Sequence, residues 1–193
     1  MKARAARSML LSMALASCSL AGPVPSVYVL GEPPSAPSST VPLTGMPVVL
    51  VRRVSVPEYL DTADLVTRRG RQIVPSVTGR WGERLSLGLT AAIVAALSAQ
   101  LPGVLVTASP IGTPARRVVA IDVQRFEAEE RGPVLLQARW TITDATGRAP
   151  LGVWQSSIAE PVSGTGDAAI VDAMSAAANE LARRIAQNIE RGT

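Results

Sequence analysis

Between residues 116 and 161 the chain alternates apolar and polar residues with a period of two, and this pattern constrains its fold more than anything else in it. In "PVLLQARWTITD", 133–144, Val134, Leu136, Ala138, Trp140 and Ile142 fall on one side, with Gln137, Arg139, Thr141 and Thr143 opposite. Successive side chains of a strand point to opposite faces, so the pattern predicts a sheet with one covered and one polar face. "RRVVAIDVQRFEAEE" before it repeats the pattern with Val119, Ile121 and Val123. "APLGVWQSSIAEP" follows a turn at Asp144–Arg148 and reads as a return strand. The three form a predicted meander with Trp140 and Trp154 in its core.

The covered face needs a cover, and two helical patterns supply one. In "RWGERLSLGLTAAIVAALSAQLPG" the residues Trp81, Leu85, Leu89, Ile93, Leu97 and Leu101 recur near the helical period, and Pro102-Gly103 ends the run. Its uncharged part, Leu85 to Leu101, contains Ser86, Gly88, Thr90, Ser98 and Gln100 and falls short of the ~20 apolar residues of a membrane span, so it reads as a core helix. A second helix is predicted from Asp167, as N-cap, to Glu190. Ile170, Met174, Ala178, Leu181, Ile185 and Ile189 make its apolar stripe, and Arg183, Arg184 and Arg191 lie toward the end that suits cations. Shorter strands are predicted at 27–30, 47–57 and 103–109, with a hairpin at 64–75 turning near Gly70. The expected fold is α+β: a two-layer sandwich of a mostly antiparallel sheet with two long helices on one face. The Pro/Ser-rich segment 31–47 should be extended and without a core of its own.

The amino terminus has a separate logic. Lys2, Arg4 and Arg7 precede a short apolar run, Met9 to Ala16, which reads as a secretory signal peptide. Leu15-Ala16-Ser17-Cys18 resembles the bacterial lipobox, in which the cysteine thiol receives a diacylglyceryl group and the cysteine becomes the new terminus. Residues 1–17 are thus a lipoprotein-type signal peptide, and 18–193 a single periplasmic domain anchored through Cys18. Ser19, in place of an aspartate, points to the outer membrane.

Composition then removes whole classes of chemistry. There is no histidine, Lys2 is the one lysine and Cys18 the one cysteine. Beyond the signal peptide the chain therefore has no Ser-His, Cys-His or Ser-Lys pair, no Schiff-base or P-loop lysine, and no zinc site built on His or Cys. No cofactor is implied. Removing three cations from the 19 Lys+Arg leaves 16 against 15 Asp+Glu, a net charge of +1, so there is no basic footprint for nucleic acid. The densest acidic cluster, Glu127, Glu129 and Glu130, reads as the solvated tip of a hairpin, and Arg68, Arg69 and Arg71 as hairpin-surface charges.

The stretch "VSVPEYLDTADLVTRRGRQIVPSVTGRWGERL" is similar to the signature of the ABC-type transport auxiliary lipoprotein family. A strand ends in Val56-Pro57-Glu58-Tyr59-Leu60-Asp61, a hairpin with Leu65-Val66-Thr67-Arg68 follows, and Arg80-Trp81-Gly82-Glu83-Arg84-Leu85 opens a helix. "VQRFEAEERGPVLLQARWTITDATG" resembles the family's strand pair, and "VYVL" its tyrosine-bearing first strand. Gly82, where alanine is commoner, and the segment 31–47 depart from the pattern. Tyr59 and Leu60, just past a strand end, suit either an exposed contact or packing under the first helix; Trp81 reads as core.

The resemblance implies a non-enzymatic, outer-membrane-anchored adaptor of an ABC/MCE-type (mammalian cell entry) intermembrane phospholipid transport system. Pro57, Tyr59 and Leu60 become candidate partner-binding residues, and ABC and MCE components the partners. Three alternatives stay open: a lipid carrier with its own apolar cavity, an assembly or pilot lipoprotein of another envelope complex, and a carboxylate-only hydrolase. Direct phospholipid binding and homo-oligomerisation are likewise left open.

Overall fold

The computed structural model describes residues 24–31, 45–146 and 149–191. Cys18, the signal segment and most of the Pro/Ser-rich stretch lie outside the described residues. In chain order the elements are β1 (Ser26–Tyr28), β2 (Val48–Val51), β3 (Asp64–Arg69), β4 (Gln72–Trp81), α1 (Leu85–Gln100), β5 (Leu105–Thr107), β6 (Arg117–Glu129), β7 (Val134–Thr143), β8 (Pro150–Glu160) and α2 (Gly166–Arg191).

The eight strands form one sheet, and β6 is its spine. Along one edge of β6 runs the meander: β7 pairs with it antiparallel over most of its length, and β8 pairs with β7 in the same way. Along the other edge the sheet branches. β2 lies parallel to the start of β6, with Val49–Val51 beside Arg117–Val119, and β5 lies parallel to β2. β3 lies parallel to the end of β6, with Thr67 and Arg68 beside Ala128 and Glu129. The β3–β4 hairpin is antiparallel, and β1 closes that branch parallel to β4.

The expected mostly antiparallel two-layer sandwich is therefore wrong: the sheet is mixed, and four of its seven strand pairings are parallel. Alternation states which residues share a face. It carries no information on the direction of a neighbouring strand, and parallel pairing joins segments far apart in sequence.

The meander's inward residues are as the alternation requires. Val119, Ile121, Val123, Val134, Leu136, Ala138, Trp140 and Ile142 are all at most 3% exposed. The phase of β6 then slips at a bulge between Val123 and Arg125. One extra residue turns the next side chains over. Phe126 and Ala128 consequently face the core, while Arg125 and Glu127 share the opposite face. Trp154 stacks on Trp140 with ring centroids 6.4 Å apart, and its ring fills the space beside Gly152.

Helix α2 buries Met174, Ala178, Leu181, Ile185 and Ile189, while Ile170 is half-buried. It packs against α1 and over β6, β7, β8 and β4. Each fully buried Leu or Ile there contributes about 1.5–3 kcal/mol. Asp167 is not the N-cap expected: it lies in the first turn of α2. Its Oδ2 accepts hydrogen bonds from Ser76 (2.8 Å) and Thr78 (2.6 Å). These residues sit where the β3–β4 register breaks, so Asp167 clamps the irregular stretch of β4 to the helix. A Cβ at Gly79 would lie 2.6 Å from that carboxylate, which is why the position suits glycine.

Trp81 is core, but it is the last residue of β4 rather than part of the α1 stripe. Helix α1 buries polar as well as apolar side chains. Thr90 Oγ1 accepts the buried Val54 N–H at 2.9 Å and donates to Ser86 O at 2.6 Å. Ser86 Oγ accepts from the Arg53 guanidinium at 2.6 Å. The polar residues of this helix thus hold the strand segment that leaves β2.

Candidate interaction site at Tyr59 and Glu127

After β2 the chain continues beside β6, makes a bridge at Ser55 and Asp122, and turns at Pro57. Leu60 and Asp61 both return their N–H groups to Pro57 O, at 2.9 and 3.2 Å, which makes one tight helical turn. The turn separates its side chains. Leu60 is 1% exposed and belongs to the core, Pro57 is half-buried, and Tyr59 is 37% exposed.

Asp61 ends the turn with a structural task. The helix cap of α1, Arg84, makes no side-chain capping bond. Asp61 Oδ1 instead accepts Ser86 N–H at 3.1 Å and so satisfies one of the helix's free amides from outside. Arg53 and Arg84 approach the same carboxylate at 3.7 and 3.5 Å. Burial works to raise the Asp61 pKa, but the Ser86 hydrogen bonds and the two guanidinium groups outweigh it and hold it below the usual carboxylate range.

Beneath Tyr59 lies the buried centre of the site. Glu127 is wholly inaccessible to solvent, although the hairpin pattern reads as solvated surface; Glu129 and Glu130 are exposed as expected. Glu127 Oε1 accepts from Arg68 Nε at 2.5 Å and from Arg125 Nε at 2.8 Å. Its Oε2 accepts from the Tyr59 hydroxyl at 3.2 Å and from Phe126 N–H at 3.2 Å. Arg68 also donates to the Tyr59 oxygen at 3.0 Å and places its guanidinium 5.7 Å from the ring centroid, within cation–π range. Arg125 reaches on to Glu129 at 2.8 Å. Burial, followed by the nearby Glu127 charge, pushes the Tyr59 pKa up, and the Arg68 charge opposes it. The hydrogen bond to Glu127 raises that of Arg68.

Each oxygen of the Glu127 carboxylate thus accepts two hydrogen bonds. The cluster fixes Tyr59 and orients its ring at the surface. A pinned aromatic side chain is preorganised for contact, since little side-chain freedom remains to be lost on binding. Residue periodicity missed Glu127 because the β6 bulge changes which residues share its face. It missed Arg68 as a member because that strand joins the end of β6 only in three dimensions.

Two recesses among the described residues are small. A recess lined by Arg117, Ile142, Leu151, Trp154 and Ile189 holds about 170 Å³, and one lined by Val49, Val104 and Arg116 about 110 Å³. Small-molecule sites usually span roughly 300–1,000 Å³. A larger recess of about 320 Å³ is lined by Gln124, Gln137, Gln155, Ser156 and Ser157, a polar wall unsuited to acyl chains. Among the described residues no helix is long and apolar enough to cross a membrane, and no group of three or more His, Cys, Asp or Glu is placed to hold a metal.

The chain belongs to the family of ABC-type transport auxiliary lipoprotein components, matched over residues 28–186, and is a transport-associated lipoprotein. Within that class it is similar to the intermembrane transport lipoprotein PqiC of Escherichia coli (strain K12) and of Shigella flexneri. Each is 30% identical over 129 residues, 66% of this chain and 68% of theirs. The fold is shared with protein XCC0632 from Xanthomonas campestris, at a TM-score of 0.61 and 18% identity over 84% of this chain and 90% of that one. A crystal structure of an uncharacterized protein aligns at a TM-score of 0.68 and 24% identity, covering 74% of this chain and 92% of the other.

Proposed function

We propose that this protein is a non-enzymatic adaptor of an ABC/MCE-type intermembrane phospholipid transport system, held at the periplasmic side of the outer membrane by acyl groups on Cys18. The observation that carries the reading is the family match across residues 28–186 combined with what the shared motif does here. Val56 to Asp61 builds no reactive centre. Asp61 caps α1, Leu60 anchors the turn in the core, and Tyr59 is presented at the surface over a saturated ion cluster. On this reading Pro57 and Tyr59 form the partner-facing surface and Leu60 supports them from below.

The carrier alternative needs a large apolar cavity; the recess of about 170 Å³ is partly lined by Arg117, Asn188 and Arg191, and that of about 110 Å³ is too small, so neither supports it. The adaptor reading is tested by purifying the tagged, lipidated protein from membranes in mild detergent and identifying what accompanies it. The expected result is an MCE-type protein that is lost in Cys18→Ala and reduced several-fold in Tyr59→Ala. Stoichiometric phospholipid with no protein partner would overturn it.

A further inference from the structure

The edge strand β1 carries an apolar outer face that the core does not use. From Val27 on the side chains alternate: Leu30 is buried and Tyr28 packs against the core, whereas Val27 and Val29 are 70% and 58% exposed. Val24, the first described residue, is 92% exposed. Register places Val27 beside Arg80 on β4, so the two side chains share a face. Arg80 is exposed and makes no ion pair with any described residue.

This strand is rigidly mounted. Gly82 N–H donates to Tyr28 O at 2.7 Å, and a Cβ at Gly82 would lie 3.3 Å from Val27 Cγ1, so the missing side chain lets β1 pass close by. Just beyond it, Gly31 N–H donates to Ser175 Oγ of α2 at 3.0 Å. The outward direction of Val27 and Val29 is therefore fixed relative to the whole domain.

The chain between Cys18 and Val24 is short. Six residue steps reach at most roughly 20 Å even when fully extended. An anchor at Cys18 keeps Val24 within that distance of the bilayer. The strands run β1-β4-β3-β6-β7-β8, so β8 lies five strand spacings away, roughly 24 Å. A short tether, an exposed apolar strip at its end and an unpaired cation beside it suit a surface of anionic headgroups over hydrocarbon.

We propose that the outer face of β1, with Val27, Val29 and Arg80, lies on the anionic lipid surface in which the protein is anchored. This rests on acylation of Cys18. It goes further by assigning the domain's orientation: the β1 edge sits down on the membrane, and the β8 edge faces the periplasm.

The test uses full-length lipidated protein in vesicles of phosphatidylethanolamine and phosphatidylglycerol. The diacylglyceryl thioether blocks the one native thiol, so Val27→Cys, Val29→Cys and, as control, Val153→Cys on β8 can each take an environment-sensitive fluorophore. All three positions are exposed, so the substitutions leave the core intact. The expected result is several-fold stronger quenching by spin-labelled lipids at 27 and 29 than at 153, and a weaker difference after Arg80→Glu or in vesicles without phosphatidylglycerol. Protein that floats with the vesicles but is quenched equally at all three sites overturns the orientation alone. Label-to-label self-quenching at 27 without lipid quenching also overturns it, since a second copy then covers the strip. Protein that fails to float, with Cys18 reactive to maleimide, overturns the anchoring reading and the orientation together.

Discussion

The two sides of β6 are held together in different ways. On the β7–β8 side, two long antiparallel ladders lie under the continuous apolar stripe of α2. On the β1–β5 side, the parallel pairings each span two or three residues, and the segments between them are tied by side chains. Arg53 and Val54 bond to α1, Asp61 caps that helix, Asp167 clamps β4, and Glu127 gathers Arg68, Arg125 and Tyr59. A long ladder with an apolar face needs little beyond its alternation. Short parallel pairings leave more backbone groups to be satisfied elsewhere, and polar side chains do it. The motif residues that attract functional interest, Pro57 to Asp61, fall on the tied side.

The largest effect that would sharpen this contrast is at Phe126, which is fully buried on the spine where both sides meet. Phe126→Ala should cost about 3–5 kcal/mol, read as a fall in the urea midpoint. Next is Glu127→Gln. Breaking a fully buried pair costs about 3–5 kcal/mol, but Arg68 and Arg125 are 24% and 21% exposed, so about 2 kcal/mol is expected. Hydrogen exchange in that variant should rise in β3 and the 57–61 turn while β7 and β8 keep their protection. Equal loss on both sides would break the comparison.

Thr90→Val removes the acceptor of the buried Val54 N–H at nearly constant shape, and about 1 kcal/mol should be lost. Exchange at the amides of 52–55 reports whether the loss is local to that strand segment.

The smallest effect concerns pH on the α2 surface. Arg183 and then Arg184 hold the Glu180 pKa down to about 2 from 4.5, against the opposing effect of burial. A depressed carboxylate pKa contributes stability that is present above the unfolded value and lost as pH falls through the folded one. That contribution should fade between about pH 4.5 and 2, and Glu180→Gln should flatten this part of the acid limb. The side chains are 25%, 52% and 37% exposed, so less than about 1 kcal/mol is at stake.

How much was legible from the chain differs between the two sides in the same way. The meander, the inward set Val134 to Ile142, both helices and the hairpin at Gly70 stand where periodicity puts them. The exceptions are instructive. Trp81 matches the helical spacing of α1 yet ends β4, because a residue four before Leu85 satisfies that spacing in either conformation. Asp167 has the right chemistry for an N-cap and is used instead by Ser76 and Thr78, which no local pattern connects to it. Of the residues marked for contact, Tyr59 is exposed and Leu60 is core, a division made by the turn at Pro57.

Sequence alone determined the inward face of β7 and of the first half of β6, the apolar stripe of α2, the absence of histidine and of any lysine beyond Lys2, and the family. These follow from local spacing, from composition or from a motif read in order. Only the tertiary structure decided that β2 and β3 run parallel to β6, that the β6 bulge inverts its last residues, and that Glu127 is buried under Tyr59 and Arg68. Hydrogen bonds and ion pairs of the cluster join residues far apart in the chain: Tyr59 and Glu127 are separated by 68 positions and Arg68 and Glu127 by 59. Nothing in the neighbouring sequence of either partner encodes that encounter, because it depends on where the whole chain folds back on itself.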